Sequence, residues 1–268
     1  AKGFLERILT LAAPPEKAAW IEKCQHWRRK YPICLPEYAD DSHGINLYYF
    51  IHCLSQAMKD DSVVVSDAGS AFYVTTQGIQ IRSRQRSVTT GGQAEMGYTL
   101  PAAIGVCCAR DNAEVIGITG DGSFQLNIQE LQTVVHHDLP IKIFVWNNNG
   151  YLSIRATQRK FFEGRLIGTD PESGVSFPSL EKIAGAYGIT YARVERAGSL
   201  VQEIRDVLDC PRAVICEVMC NPDQEIVPTV SSMRKEDGSM VSKPLEDMYP
   251  FLDRQEFRRE MIIPPLKE

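Results

Sequence analysis

Four short runs, apolar on both faces, constrain this chain more than anything else in it. They are SVVVSD (62–67), AEVIGITG (113–120), PIKIFVWNN (140–148) and RAVICEVM (212–219). A strand with one wet face alternates apolar and polar residues, whereas a nearly continuous apolar run belongs to a strand buried on both sides. A fifth run, ITYARVE (189–195), also reads as a strand. Between the runs lie segments with helical apolar spacing: INLYYFIHCLSQAMKD (45–60), PAAIGVCCAR (101–110), IQELQTVVHHD (128–138), SLEKIAGAYG (179–188) and SLVQEIRDVLD (199–209). Strands alternating with helices predict a mainly parallel sheet covered on both faces, a three-layer α/β/α fold. In such sheets ligands sit at the carboxyl ends of the strands.

The alternation begins near residue 43 and stops near 220. Residues 1–42 read separately. A helix end spans 1–12, an exposed helix spans 15–31, and the polar linker YPICLPEYADDSHG follows. This leading part is expected to close a preceding domain of a larger protein. Residues 221–268, rich in Pro, Glu, Arg and Met, are expected to wrap the 43–220 domain and to order against a ligand or partner.

With 268 residues and 44% hydrophobic content the chain can bury a real core. A net charge of −5 without a basic stripe argues against nucleic acid or an acidic membrane as partner. No run approaches the roughly 18 apolar residues of a membrane span. The first residues lack the layout of a secretory signal. Eight cysteines without a CxxC pair fit reduced thiols in the cytoplasm. Cys216 and Cys220 are read as packed thiols, since a zinc site there would need further ligands.

Two strand ends carry chemistry. After the second run comes Gly120-Asp121-Gly122-Ser123, and after the third come Asn147, Asn148 and Asn149. Glycines let the backbone turn tightly and approach a ligand. Ser123 and the amides beside it can donate to phosphate oxygens. One carboxylate, one amide oxygen and one backbone carbonyl are hard oxygen donors, suited to magnesium that also binds phosphate. No GxGxxG and no GK[ST] is present, which argues against dinucleotide and P-loop sites. His136 and His137 read as a solvated helix end, and Arg155, Gln158, Arg159 and Lys160 as a solvated helix face.

GDG followed by NN, with Asp121 and Asn148 27 positions apart, resembles the fingerprint of thiamine diphosphate enzymes. SDAGSAFYVTTQ, GGQAEMGYTLPAAIGV, GDGSFQLNIQELQTVV and WNNNGYLSIRATQ, in that order, resemble the C-terminal domain of the acetolactate synthase large-subunit family. The resemblance runs from about residue 45 to 220 and implies the thiamine diphosphate-binding fold. It also implies a decarboxylating transferase acting on a 2-oxoacid such as pyruvate, as in branched-chain amino acid biosynthesis. A 2-oxoacid decarboxylase or other carboligase, a separately encoded cofactor-binding subunit, and a non-catalytic binding module stay open as alternatives. KPLEDMYPFL (243–252) resembles the tail of acetolactate-synthase-like proteins more than that of the biosynthetic enzyme.

Carried over residue by residue, Asp121, Asn148 and the carbonyl of Gly150 match the magnesium ligands. Gly122 and Ser123 match the diphosphate cradle, and Gly69, Ser70 and Ala71 a second diphosphate loop. Met96 matches the bulky residue that keeps the cofactor bent. Ala94 stands where the family commonly has glycine, and Tyr151 is expected to line or support the site. The glutamate that activates the pyrimidine ring is expected on a separate pyrimidine-binding domain of the same or a partner subunit. No catalytic residue is therefore expected in this chain, which should be inactive alone and act as a homo-oligomer with that domain. FAD is compatible with the family but is not readable from these residues.

Overall fold

A computed structural model describes residues 1–11, 17–234 and 239–265. They divide into two compact units, 1–35 and 36–268. The first holds α1 (Lys2–Leu9) and α2 (Ala18–Lys30). Residues 12–16, where one helix was expected to end and the next to begin, lie outside the described residues, as do 235–238 and 266–268 of the expected tail. Residues 36–42, expected with the leading part, cluster instead with the second unit. There Asp41 accepts a 2.8 Å bond from the Ala197 amide.

The second unit is built on six strands: β1 (Val63–Ser66), β2 (Arg86–Thr89), β3 (Val115–Gly120), β4 (Ile141–Asn147), β5 (Thr190–Val194) and β6 (Val214–Met219). They form one sheet in the order β2-β1-β3-β4-β6-β5, every pair parallel. Its helices are α3 (Leu47–Ala57), α4 (Gly69–Gly78), α5 (Thr99–Ala109), α6 (Asp121–Phe124), α7 (Leu131–His136), α8 (Leu152–Phe161), α9 (Leu180–Tyr187), α10 (Leu200–Asp209) and α11 (Arg254–Glu260). The α/β/α architecture read from the apolar runs is the one observed.

Alternation along β4 shows how the two faces are filled. Ile141, Ile143 and Val145 enter a cluster with Leu100 and Cys107 of α5, Leu131 and Val134 of α7, and Leu180 of α9. Phe144 and Trp146 point the other way and meet Phe50 of α3 edge-on, at 5.3 and 5.7 Å. Each such side chain removed from water contributes about 1.5–3 kcal/mol. Lys142, the polar interruption in this run, is buried and donates to the carbonyls of Cys210 and Arg212. Burial pulls its pKa down.

Helix boundaries follow local chemistry. Asn46 caps α3 by accepting from the Tyr48 and Tyr49 amides. Ser179 caps α9, which ends on Gly188 in the left-handed region. Two expectations change and one strand is new. Arg86–Thr89 is a strand, although its polar face gave no strand signal. The helix expected over 128–138 is confined to 131–136. A 3-10 segment precedes it, broken at Asn127, whose side chain donates to the Gly97 carbonyl at 2.8 Å. Gly69, Ser70 and Ala71 form the first turn of α4 rather than a loop.

The described part of the tail packs within the same unit. Gln224 accepts from the Leu47 amide at 2.7 Å, Tyr48 Oη accepts from the Val227 amide at 3.0 Å, and Gln77 donates to the Pro228 carbonyl at 2.8 Å. A short antiparallel pair, β7 (Ser232–Arg234) and β8 (Met240–Ser242), precedes α11.

Candidate functional site

Parallel pairing of β3 with β4, Gly120 opposite Trp146, brings Asp121 and the asparagine run to one end of the sheet. β1, paired on the other side of β3, delivers Asp67 and Ala68 to the same end. The three chain ends enclose a cavity of about 240 Å³, lined among others by Gly69, Ser70, Met96, Asp121, Asn148 and Ser153.

Asp121 sits at its floor, 4% exposed. Oδ1 accepts from the Gly122 amide at 2.8 Å and Oδ2 from the Gly150 amide at 3.0 Å. Burial pushes its pKa up to about 6, although these amides and Arg155 pull the other way. Asn148 is 3% exposed, and its Oδ1 is buried without a hydrogen-bond partner among the described residues. An orphaned amide oxygen is costly in a finished fold, so it marks a place where a ligand completes the site. A raised carboxylate beside an unmatched amide oxygen fits a hard divalent cation.

The backbone around them is sterically specified. Gly150 has φ +141°, and a Cβ there would come 1.9 Å from the Thr169 carbonyl oxygen. A Cβ on Gly122 would meet the Tyr151 ring at 2.4 Å. Tyr151 in turn packs edge-on against Phe177, with ring centroids 5.6 Å apart. Tyr151 thus closes the floor beneath the Gly-Asp-Gly turn.

Arg155, read as part of a solvated face, is the largest departure. Its side chain is 4% exposed. Nη2 donates to the carbonyls of Asn148 at 3.0 Å and Pro222 at 2.6 Å, and Nη1 lies 3.7 Å from Asp170. It therefore pins the asparagine loop from behind, with both Nη groups engaged and its Nε buried and without a hydrogen-bond partner among the described residues. Arg159 pairs with Asp223, and Lys160 donates to Ser231.

Asp67 was also missed. It is fully buried, accepts from Thr119 at 2.9 Å, Ser123 at 2.6 Å and the Ala68 amide at 2.7 Å, and burial raises its pKa. Ser123 Oγ also accepts from the Gly97 amide at 2.7 Å. The Ser123 hydroxyl is therefore a brace between strand ends. An acid ending an apolar strand, SVVVSD, was the available signal for Asp67.

Of the eleven residues singled out, nine line the cavity: Gly69, Ser70, Met96, Asp121, Gly122, Ser123, Asn148, Gly150 and Tyr151. Ala71 and Ala94 are not among the lining residues. Ala71 is wholly buried on α4. Ala94 holds φ +56°, the left-handed region that favours glycine. This explains why a glycine is natural there. Cys216 and Cys220 are free, buried thiols whose pKa values burial raises.

Glycine turns, a buried carboxylate and an unmatched amide oxygen at the strand ends of a parallel α/β domain suit a ligand that carries phosphate and a hard cation. Comparison with known proteins makes the class specific. Residues 67–218 match the family model of the thiamine pyrophosphate enzyme, C-terminal TPP binding domain, and the chain belongs to that family. It is 29% identical over 218 residues to the acetolactate synthase large subunit of Porphyra purpurea, covering 81% of this chain and 36% of that protein. It is 28% identical over 217 residues to the chloroplastic acetolactate synthase 3 of Brassica napus, covering 80% of this chain and 33% of that protein. The chain thus spans about a third of the length of these relatives.

Proposed function

We propose that this chain is the part of an acetolactate-synthase-like enzyme that holds the diphosphate of thiamine diphosphate through magnesium. The orphaned Asn148 oxygen beside the raised Asp121 carboxylate carries the reading. Asp121, Asn148 and the Gly150 carbonyl would bind the metal. Gly69, Ser70, Gly122 and Ser123 would approach the diphosphate, largely through backbone, and Met96 would support the thiazolium and pyrimidine rings. Ala94 would offer its carbonyl to the pyrimidine, an assignment its place outside the cavity lining does not favour, and Ala71 would contribute only by shaping α4. When bound, thiamine diphosphate supplies an electron sink for decarboxylating a 2-oxoacid.

The residues of this chain orient that cofactor and shield it. The group that activates the pyrimidine would come from a pyrimidine-binding domain of the same or a partner subunit, within a homo-oligomer. Met96, Leu126 and Ile154, all large apolar residues left exposed here, support such a covering surface. Eight free cysteines support a reducing compartment such as the cytoplasm. With 36–42 moved to the second unit, the division serves the same reading: residues 1–35 a connector, 36–220 the cofactor domain and 221–268 its covering tail.

The test is product analysis with pyruvate, thiamine diphosphate and magnesium. The complete enzyme, with its pyrimidine-binding domain, should form acetolactate and lose activity on chelation. Free aldehyde instead would make it a decarboxylase. This chain alone should be inactive, and turnover by it at ordinary rates of roughly 1–10³ per second would refute the half-site reading.

A further inference from the structure

The asparagine loop between β4 and α8 has a costly backbone. Asn149 stands at φ +57° and Gly150 at φ +141°. A non-glycine residue in the left-handed region persists when the structure around it fixes it there. Two side chains do so. Arg155 grips the loop through the carbonyls of Asn148 and Asn149. Asn147 grips it from the strand side, where its Oδ1 accepts from the Asn149 amide at 3.0 Å. This is a side-chain turn that spans Asn148. Asn147 is not among the residues lining the cavity, so its amide serves the loop.

That turn forms only if the amide oxygen of Asn147 points at Asn149. Glu217 of β6 settles which way it points. The pairing of β4 with β6 sets Val145 opposite Glu217 and Asn147 opposite Met219. Asn147 and Glu217 thus share the face of the sheet that Val145 helps to fill. There Glu217 Oε1 accepts from Asn147 Nδ2 at 2.6 Å, and Oε2 accepts from the Tyr191 hydroxyl on β5. An ionised carboxylate only accepts, so the NH2 end of Asn147 must face it and the oxygen must face Asn149. Arg193, opposite Glu217 on β5, bonds Glu195 at 2.5 Å and attracts the Glu217 charge from a distance. Glu217 is 7% exposed and lies outside the cavity lining. A buried carboxylate is costly unless donors match it, and one of its two donors belongs to the loop.

We propose that Glu217 is a positioning residue for the cation site: it orients Asn147, and Asn147 holds the loop that presents the Asn148 side chain and the Gly150 carbonyl. The inference rests on the magnesium–thiamine diphosphate reading above and extends it to a strand residue outside the cavity.

The experiment titrates the complete enzyme with magnesium at fixed, excess thiamine diphosphate, read by intrinsic fluorescence, and measures the apo melting temperature. The variants are Glu217→Ala, Glu217→Gln, Asn147→Ala and the double variant with both alanines. Glu217→Ala and Asn147→Ala should each weaken magnesium about tenfold, as when the binding-competent loop falls to about a tenth of the population. Glu217→Gln keeps an acceptor for Asn147 and can donate to Tyr191, so it should stay within about threefold of wild type. Because Glu217 acts through Asn147, the double variant should be no weaker than Asn147→Ala. A merely structural glutamate would lower the melting temperature in Glu217→Ala and leave magnesium affinity within about twofold of wild type. That result would overturn the proposal. So would losses that multiply in the double variant, or a Glu217→Gln as weak as Glu217→Ala. Should Glu217→Ala not fold, unchanged affinity in Asn147→Ala or a loss of about tenfold in Glu217→Gln overturns the proposal. If wild type bound no thiamine diphosphate in the presence of magnesium, the cofactor reading would fall and this inference with it. Insensitive variants of a wild type that does bind would remove this inference alone.

Discussion

Asp121 and Asp247 are each 4% exposed, yet Asp121 lies deep at the strand ends and Asp247 near the surface beside Arg254, and their acidities are displaced in opposite directions. Asp247, in the C-terminal segment, takes two bonds from Arg254 at 2.7 and 3.0 Å and faces Lys243 at 3.5 Å. Chiefly the Arg254 bonds hold its carboxyl below the usual carboxylate range. Asp121 takes only backbone amides, and burial leaves it near 6. A buried carboxylate already matched by cations is a staple. One held in shape by dipoles, with no cation in contact, is preorganised for a cation that arrives from outside. The same residue type, equally screened from solvent contact but set deeper at 121 than at 247, thus serves binding in one place and stability in the other.

Exchanging the two substitutions gives the largest expected effects. Asp121→Ala in the complete enzyme should weaken magnesium-dependent thiamine diphosphate binding at least about 100-fold, since it deletes a charged metal ligand. It should cost the apo fold little. Asp247→Asn should do the reverse, lowering unfolding stability by about 2–4 kcal/mol, as expected when one partner leaves a buried charge cluster. Cofactor affinity should stay within a fewfold of wild type. Calorimetry and denaturant melts on both variants decide the matter. Unchanged cofactor affinity in Asp121→Ala would end the metal assignment.

An intermediate effect is expected from pH alone. The folded pKa of Asp121 lies above its unfolded value, so the native state holds the proton more tightly. Stability should then fall as pH rises from about 4 to 6, by up to about 3 kcal/mol at 1.36 kcal/mol per unit. Asp67, also raised, acts in the same direction. Asp247 is lowered, so its contribution is present above about pH 4 and is lost as pH falls through its folded pKa. The apo protein should therefore be most stable in mildly acidic solution, and bound magnesium should remove the decline toward neutrality. Thermal melts from pH 3 to 8 with and without magnesium and cofactor would show it. A monotonic rise toward pH 7 without ligand would mean that Asp121 is not held as described.

Much of the sheet was legible because burial on both faces leaves a continuous apolar run, as in β1, β3, β4 and β6. β2 was not, because an edge strand exposing Arg86 and Ser87 carries no such run and is specified by its pairing with β1. The Asp121–Asn148 pair was legible because its residue types and spacing express its chemistry. Arg155 was not. The partners of Arg155 are carbonyls at 148 and 222 and a carboxylate at 170, which only the fold collects.

Ala94 gives the smallest expected effect, and it bears on whether binding sites alone hold costly conformations. An alanine at φ +56° is disfavoured by about 1–2 kcal/mol relative to right-handed backbone, a cost that glycine largely escapes. Glycine, however, loses more entropy on folding, which takes back about 0.5–1 kcal/mol. Ala94→Gly should therefore stabilise the apo protein by no more than about 1 kcal/mol. Its amide already bonds the Thr90 carbonyl at 2.8 Å, so the turn should persist. If the variant is stabilised and cofactor affinity is unchanged, the strain belongs to the turn and not to binding. If affinity falls while stability rises, the methyl group helps to fix the neighbouring Met96 where the cofactor needs it, and the cost at Ala94 is of the same kind as the raised pKa of Asp121.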